Sequence, residues 1–423
     1  VSKCLVRILA ALLAAFVARS DVANASGFLI QEQSASALGQ GGAVAADPDE
    51  PAAVWFNPAA LGFAKGWGAS ATLALGFPRV SFTPKDGGPT TQADFLLQPV
   101  PNLFLHVPVS TPGQERVVFG LGLYAPFGLK LNWPRGWQGA EKAESIAITV
   151  VALNPTVSVP LGDRVAIAAG ASLLYGTVEF AAGLPSDLMM PMSPSMGRGV
   201  LSGNAYGWNA NVALSLRPVP DVLSLALTYR TGAQLGFDGK ADFSGNDPRL
   251  GSTFVDQRAS TKLPLPDLLT LAMSWRLQPA LRLGFQVERT GWSAFEELEI
   301  RFTQPTTPTQ RIERNSTDAW TGRLGLQWER AATVSALRTG LVIDQGTANS
   351  DSLAPSAPDS ARLGITIGAS VALARATIDI GYLFLYFLPA KATGGREGPE
   401  GTYRAMMHAL ALTARFGAGS VRK

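Results

Sequence analysis

The chain is poor in cysteine, histidine and charge, and it has no long apolar run after its N-terminus. Of 423 residues, one is cysteine, Cys4, and two are histidine, His106 and His408. A single cysteine excludes a disulfide framework and a cysteine-ligated metal. Neither histidine sits in a Ser or Asp motif, and there is no G-x-S-x-G, no P-loop and no His/Asp cluster at metal spacing. No nucleophile with its base is left, so neither catalysis nor a metal or other cofactor is expected. Charged residues make up 16% of the chain, against about 25% in ordinary soluble domains, and hydrophobic residues make up 47%. Beyond residue 25 there is no run of roughly 18 apolar residues, which excludes membrane-spanning helices.

The N-terminus has an organisation of its own. Lys3 and Arg7 precede the apolar stretch ILAALLAAFVA at 8–18, and Ala23-Asn24-Ala25 forms an A-x-A cleavage site. Residues 1–25 are therefore expected to be a secretory signal peptide, with a mature chain starting at Ser26. Its removal takes away Cys4 and lowers the formal charge from +3 to +1, through Lys3, Arg7, Arg19 and Asp21. Net charge then gives no reason to expect a nucleic-acid partner. An exported chain this apolar, without spanning helices, implies a transmembrane β-barrel.

Periodicity supports this. In WTGRLGLQWE, residues 320–329, Trp320, Gly322, Leu324, Leu326 and Trp328 alternate with Thr321, Arg323, Gly325, Gln327 and Glu329. Period two with an indole at each end suits a strand whose apolar face meets lipid and whose other face meets a polar lumen. The pattern recurs at 268–277, 281–288 and 361–373. Fourteen such segments can be placed between residues 66 and 416, an even number as bacterial barrels require. Short turns at 161–163, 218–221 and 278–280 alternate with long polar loops at 181–203, 237–267 and 291–318. Short periplasmic turns and long outer loops alternate in this way along outer-membrane barrels. The expected fold is an all-β, 14-stranded antiparallel transmembrane barrel over residues 66–416, followed by a short tail at 417–423, in a Gram-negative outer membrane.

Residues 26–65 do not alternate. They are rich in Gly, Ala and Ser, and they contain VWFNPAAL at 54–61, where Asn57 suits an N-cap and Pro58 the first helical position. Asn57 to Leu61, ending at Gly62, reads as one short capped turn. Phe28, Trp55 and Phe56 need burial, so this segment is expected to fold into the lumen as a plug, with Trp55 and Phe56 filling apolar space beneath a ligand.

Taken together, SGFLIQEQSASALGQGG at 26–42, NPA at 57–59, APFGLKLNW at 125–133, PDLLTLAMSW at 266–275 and GWSAFEEL at 291–298 resemble the FadL family of outer-membrane transporters of long-chain fatty acids and hydrocarbons. The match runs in order over nearly the whole mature chain. The resemblance implies a hatch inside the barrel, an apolar groove among the outer loops, a second apolar site near the mature N-terminus and a kinked third strand through which ligand leaves sideways. On this sequence it assigns the hatch motif to Asn57, Pro58 and Ala59, the N-terminal contact to Ser26, Gly27 and Phe28, and the kink to Phe127 and Gly128.

The loops fit an apolar ligand independently of the resemblance. Leu184, Leu188, Met189, Met190, Met192 and Met196 crowd into the loop 181–203. Flexible, polarizable methionines in an exposed loop accept differently shaped apolar molecules, although the same residues also pack a loop against its neighbours. Arg217, Arg230, Arg276, Arg282, Arg323, Arg338 and Arg362 fall on lumen-facing positions. They either meet a carboxylate ligand or pair with Glu288, Glu329, Asp344 and Asp379, since buried charges need partners. The expected function is passive uptake of hydrophobic molecules, fatty acids or hydrocarbons, by a monomeric barrel in contact with outer-membrane lipid. An adhesin or receptor on the same scaffold and a polar-solute porin are the alternatives.

Overall fold

A strand in lipid must satisfy every backbone donor and acceptor through its neighbours, so alternating segments of this kind are stable only when the sheet closes. The computed structural model describes residues 27–48, 50–110, 116–184, 197–245, 253–330, 333–346, 353–394 and 398–417. Fourteen antiparallel strands form the wall: β1 Gly68–Pro84, β2 Gln98–Val109, β3 Val117–Asn132, β4 Ser145–Leu161, β5 Val165–Leu184, β6 Gly197–Val219 and β7 Leu223–Arg230, then β8 Leu268–Gln278, β9 Leu281–Thr290, β10 Ala319–Glu329, β11 Val334–Asp344, β12 Arg362–Ala372, β13 Thr377–Phe387 and β14 Gly401–Gly417. Each pairs with the next, and β14 pairs with β1 along its whole length, from Gly68 opposite Gly417 to Pro84 opposite Gly401. Indoles mark both rims, with Trp67 and Trp328 near the periplasmic end and Trp320 near the outer end, all exposed to the lipid side.

The outer connections depart from the expectation of long irregular loops. Segments 237–267 and 291–318 each contribute strands of their own. Ala233–Ser244 and Gln257–Leu265 pair with each other above the wall, and the first of them also pairs with the outer end of β6. Glu297–Phe302 extends the same sheet and pairs with Gln310–Glu313. They alternate too, but with Leu235, Phe237 and Ala241 buried and Gln234, Asp238 and Lys240 exposed, the reverse of the wall, whose exposed face is the apolar one.

Residues 27 to about 66 occupy the lumen. They contain two short helices, α1 Ala35–Gly39 and α2 Ala53–Phe56, and a 3-10 turn, Pro58–Phe63. The reading of Asn57 as a cap holds in detail: its Oδ1 accepts from Ala59 N at 3.1 Å, and Pro58 is the first residue of the turn. Its Nδ2 donates to Ala45 O at 2.7 Å and to Ser215 Oγ on β6 at 2.8 Å, so one buried amide closes the turn, ties it to the preceding loop and ties both to the wall. The turn is 3-10 rather than α and reaches Phe63, whose ring stacks under the Arg217 guanidinium at 3.9 Å.

The rest of the hatch is held by backbone approach. A Cβ on Gly325 would lie 2.5 Å from Gln40 O, and one on Gly340 would lie 2.5 Å from Gln40 C. These glycines sit opposite each other on β10 and β11, and Gly284 on β9 sits opposite Gly325. Glycine lets the hatch backbone lie directly on the strands, where any side chain would hold it off. The contact is then hydrogen-bonded: Thr413 Oγ1 accepts from Ala35 N at 2.8 Å, Thr366 Oγ1 donates to Gly39 O at 3.0 Å and Arg323 donates to Gly41 O at 3.1 Å. Glu50, outside the spanning strands, has Ser34 Oγ at 2.7 and 2.8 Å from its two oxygens, and burial pushes its carboxyl above the ordinary carboxylate range against the opposing pull of Arg415.

Gly340→Val is expected to leave the barrel folded and displace the hatch, seen as a rise in small-solute conductance of the purified protein in planar bilayers. Conductance equal to wild type would remove the glycine contact from hatch retention. Asn57→Ala is expected to cost about 1 kcal/mol for the lost cap and to raise amide exchange at 45–63 selectively; unchanged protection there would refute the tie.

Candidate functional site

The third strand is where the wall parts. β2 and β3 pair only from Leu103 opposite Leu123 to Val109 opposite Val117, at the periplasmic end. Above that, β3 keeps its bonds to β4 but breaks register between Tyr124 and Phe127, at Ala125 and Pro126. β2 continues against β1 through Gln98 to Asn102, with Pro99 and Pro101 supplying no backbone donor. The register break lies immediately before Phe127 and Gly128, the positions the family resemblance assigned to the kink; these two are already back in the ladder, opposite Val150 and Thr149.

The N-terminal segment meets this freed edge. Ile30 N donates to Pro126 O at 2.8 Å, Gly128 N donates to Phe28 O at 3.0 Å, and Leu29 forms an antiparallel bridge with Phe127. Gln33 Nε2 donates to Ala125 O at 3.0 Å, while from the far side of the gap Gln98 Nε2 donates to Lys130 O at 2.8 Å. Gly128 is needed at this crossing, since a Cβ there would lie 2.8 Å from Ile30 Cδ1. Phe28 is buried in an aromatic cluster, edge-on to Phe127 at 5.9 Å and to Trp292 at 4.9 Å. Gly27, at φ +57°, donates to Asp359 Oδ2 at 3.2 Å and lies flat on the Trp292 indole.

A cavity of about 230 Å³ opens beside this cluster. Its floor is Gly27 to Ile30, its far wall Trp292, Phe295 and Leu298, and its near wall reaches the parted strands at Gln98, Val100, Gly128 and Lys130. A second, outer cavity of about 70 Å³ is formed by Val178, Phe180, Phe237, Ile300 and Ile312. The two share Ile146, Ile148, Leu263, Leu298 and Arg314 as a common wall. The two cavities thus lie side by side between the outer strand extensions and the gap between β2 and β3, with Arg314 in the wall they share.

Of the residues singled out in the sequence, Gly27, Phe28 and Gly128 line the inner cavity, and Phe127 is buried directly behind it. Asn57, Pro58 and Ala59 do not line it; the 3-10 turn that holds Pro58 and Ala59 packs on β4, β5 and β6. Trp55 and Phe56 are buried but fill the hatch core instead of the space beneath a ligand, with Trp55 against Tyr124 at 5.1 Å and the Arg230 guanidinium 4.7 Å from its ring. Leu184 is buried at the outer end of β5 and lines neither cavity. Ser26, Leu188, Met189, Met190 and Met192 lie outside the described residues.

The lumen arginines are largely engaged. Arg276 and Arg282 bind Glu329 at 3.3 and 3.4 Å, Arg338 binds Asp379 at 3.5 Å and Arg362 binds Asp344 at 2.7 Å. Arg282 and Arg217 also hold Asp47 of the hatch, a partner that periodicity did not suggest. Glu288 accepts from Gln31 Nε2 at 2.6 Å, bonding the hatch and not an arginine. Sequence reasoning missed Trp292, Phe295 and Arg314 as site residues. Pro99 and Pro101 inside a strand and Pro126 beside the break were signals for the opening that alternation alone could not use.

Comparison with known proteins agrees with this arrangement. The family model described as outer membrane protein transport protein (OMPP1/FadL/TodX) matches residues 15–417. The chain is 24% identical over 415 residues to a long-chain fatty acid transport protein of Escherichia coli O6:H1, covering 89% of this chain and 90% of that protein. It is 23% identical over 413 residues to the long-chain fatty acid transport protein of Salmonella typhi, covering 90% and 91%. Among solved structures, a Pseudomonas aeruginosa FadL homologue superposes with a TM-score of 0.82 at 19% identity, over 92% of this chain and 99% of that one. The Pseudomonas putida toluene transporter TodX does so at 0.68 and 14%, over 93% and 98%, and at these identities the likeness is one of fold. A hatch inside fourteen strands, a wall that parts at β3 and a match along almost the whole chain place it together: the chain belongs to the OMPP1/FadL/TodX family of outer-membrane transport proteins.

Proposed function

We propose that the chain takes up long-chain fatty acids by passive diffusion, receiving them between the outer strand extensions and releasing them sideways between β2 and β3. The observation that carries this is the charge of the outer cavity: its described lining is apolar apart from a few small polar groups, the outward-facing Lys240 at its edge and the Arg314 guanidinium, with no carboxylate. An apolar trough with a cation and no acid suits a molecule with an alkyl chain and one anionic end. Arg314, shared by both cavities and bonded to Ser356 Oγ at 2.7 Å, is the proposed head-group partner as the molecule passes inward. Hydrocarbons, the ligands named for the toluene transporters, are the second reading, favoured by the apolar wall of Phe28, Trp292 and Phe295.

The route needs no energy coupling and no chemistry. His106 Nε2 lies 3.0 Å from Gly66 O and His408 Nδ1 lies 2.7 Å from Tyr382 Oη, contacts that support strand roles and not a catalytic pair. In this reading, residues 1–25 are a leader removed on export, 26–65 the hatch, 66–416 the barrel and 417–423 a tail, and the protein works as a monomer. The loop bearing Leu188, Met189, Met190 and Met192 serves as part of the outer receiving surface.

Arg314→Met is expected to lower palmitate uptake in cells about tenfold, the value of one charge-assisted bond, while leaving uptake of an alkane of equal length within twofold. Equal loss of both would sink the fatty-acid assignment in favour of a general apolar channel. Gly128→Trp is expected to block transfer while binding of a fluorescent fatty acid to the purified protein persists, because the indole fills the crossing with Ile30. Parallel loss of binding and transfer would count against exit at β3.

A further inference from the structure

The lipid-facing surface at the outer rim is not uniform in charge. On β13, β14 and β1 the outward positions run from an apolar belt of Ile380, Leu410, Leu412 and Leu73, through an aromatic layer, to cations at the outer end. In the aromatic layer Tyr382 Oη bonds His408 Nδ1 at 2.7 Å, Phe384 packs on the same imidazole at 5.1 Å, and Phe77 stands opposite it on β1. Above it come Arg79 on β1, opposite Met406, then Arg404 on β14, opposite Ser81, then Lys391 in the short strand Ala390–Ala392, opposite Thr402. All three are exposed. Each is a diagonal neighbour of the next, at about 7–8 Å between backbone positions, so the cations form an oblique row and not a single point.

That row has no counter-charge within the wall. Among the described residues, the outward positions of β12, β13, β14, β1 and β2 carry no carboxylate, and the one acid in these strands, Asp379, is buried on the lumen side with Arg415 and Arg338. Among the described residues, the acids nearest in the chain lie in the connections above: Glu400 is held by Lys85 at 2.6 Å, Asp86 accepts from Gly88 N at 3.0 Å, and Asp94 belongs to the segment joining β1 to β2. The outward cations of the other extensions differ. Lys240 and Arg258 face out among Asp238, Asp242 and Asp256, and Arg301 is bound by Glu299 at 2.7 Å. Acyl-depth leucines, an aromatic layer and an unopposed row of cations, in order of depth, match a lipid with several chains and an extended anionic head.

We propose that the outward face of β13, β14 and β1 binds a phosphorylated glycolipid of the outer leaflet, with Arg79, Arg404 and Lys391 on its phosphates and the tyrosine and histidine layer beneath its sugar. An oblique row spread over three strands suits a disaccharide carrying more than one phosphate better than a free phosphate ion. Guanidinium groups supply the forked donors that phosphate oxygens accept.

The test uses the full-length protein purified in detergent, with binding measured by native mass spectrometry against bis-phosphorylated lipid A, the same lipid A with its phosphates removed, and inorganic phosphate. Wild type is expected to bind the phosphorylated form. Its affinity should fall about fivefold for each cation removed, the worth of one basic residue near an anionic lipid, and by roughly a hundredfold in Arg79→Gln/Arg404→Gln/Lys391→Gln. Arg258→Gln/Lys262→Gln/Arg301→Gln, which removes the same number of cations elsewhere on the rim, should bind as wild type does. Equal affinity of the first triple variant and wild type would overturn the proposal. So would equal binding of dephosphorylated lipid A, or competition by inorganic phosphate at equimolar concentration. Palmitate uptake by the first triple variant reports separately that it has folded and inserted.

Discussion

The freed edge of β3 is the constraint from which the rest follows. In lipid, backbone groups without partners are costly enough that spanning sheets must close, and above Leu123 β3 has left its pairing with β2. A strand that turns away from its neighbour needs a substitute, and Phe28 to Ile30 provide it from inside. The substitute is the beginning of the hatch. The opening in the wall and the plug in the lumen are therefore one device: whatever moves Phe28 also uncovers Pro126 O and Gly128 N, and whatever fills the gap must compete with those bonds.

The hatch is fixed elsewhere by means suited to an element that stays in place. Its backbone lies on glycines of β9, β10 and β11, and its polar groups meet Thr366, Thr413 and Arg323. Asp47 takes the periplasmic-end arginines Arg217 and Arg282. Against this, the segment beside the cavity is held by two backbone bonds to β3, one aromatic cluster and the Gly27 contact to Asp359. The body of the hatch is thus anchored at more points than the segment that lines the cavity. This anchoring also explains why a barrel with many lumen arginines leaves few for a substrate. Most are consumed in holding acids of the wall and hatch, while Arg314, bonded to Ser356, lies in the wall that the two cavities share.

The exterior is differentiated as sharply as the interior. Apolar and aromatic bands run around the wall, as lipid demands, but among the described residues outward charge is mixed with acid on the extensions near β6 and β7 and basic on the strand positions of β13, β14 and β1. The basic side adjoins β2, one flank of the gap. A molecule leaving between β2 and β3 thus enters the leaflet close to the sector that is best suited to hold a charged lipid in place.

Period-two alternation, strand number, the alternation of turn lengths and the capped turn at Asn57 were legible in the sequence, because each is a property of neighbouring residues and of the solvent on either side of them. So were Gly27, Phe28 and Gly128, through motifs that resemble a known family. The same reasoning took the segments 237–267 and 291–318 for loops, since strands that rise above the membrane lose the apolar face by which the others were recognised. It could not see Trp292 behind Gly27, Asp359 at the Gly27 amide or Arg314 between two cavities. Those pairings join residues hundreds of positions apart. Closure of the sheet determines which strand stands across the lumen from which, and a shift in register by one residue exchanges lumen for lipid. The sequence by itself determined what kind of wall this chain builds. Where that wall opens, and what lines the opening, was decided only when the sheet closed around its own N-terminus.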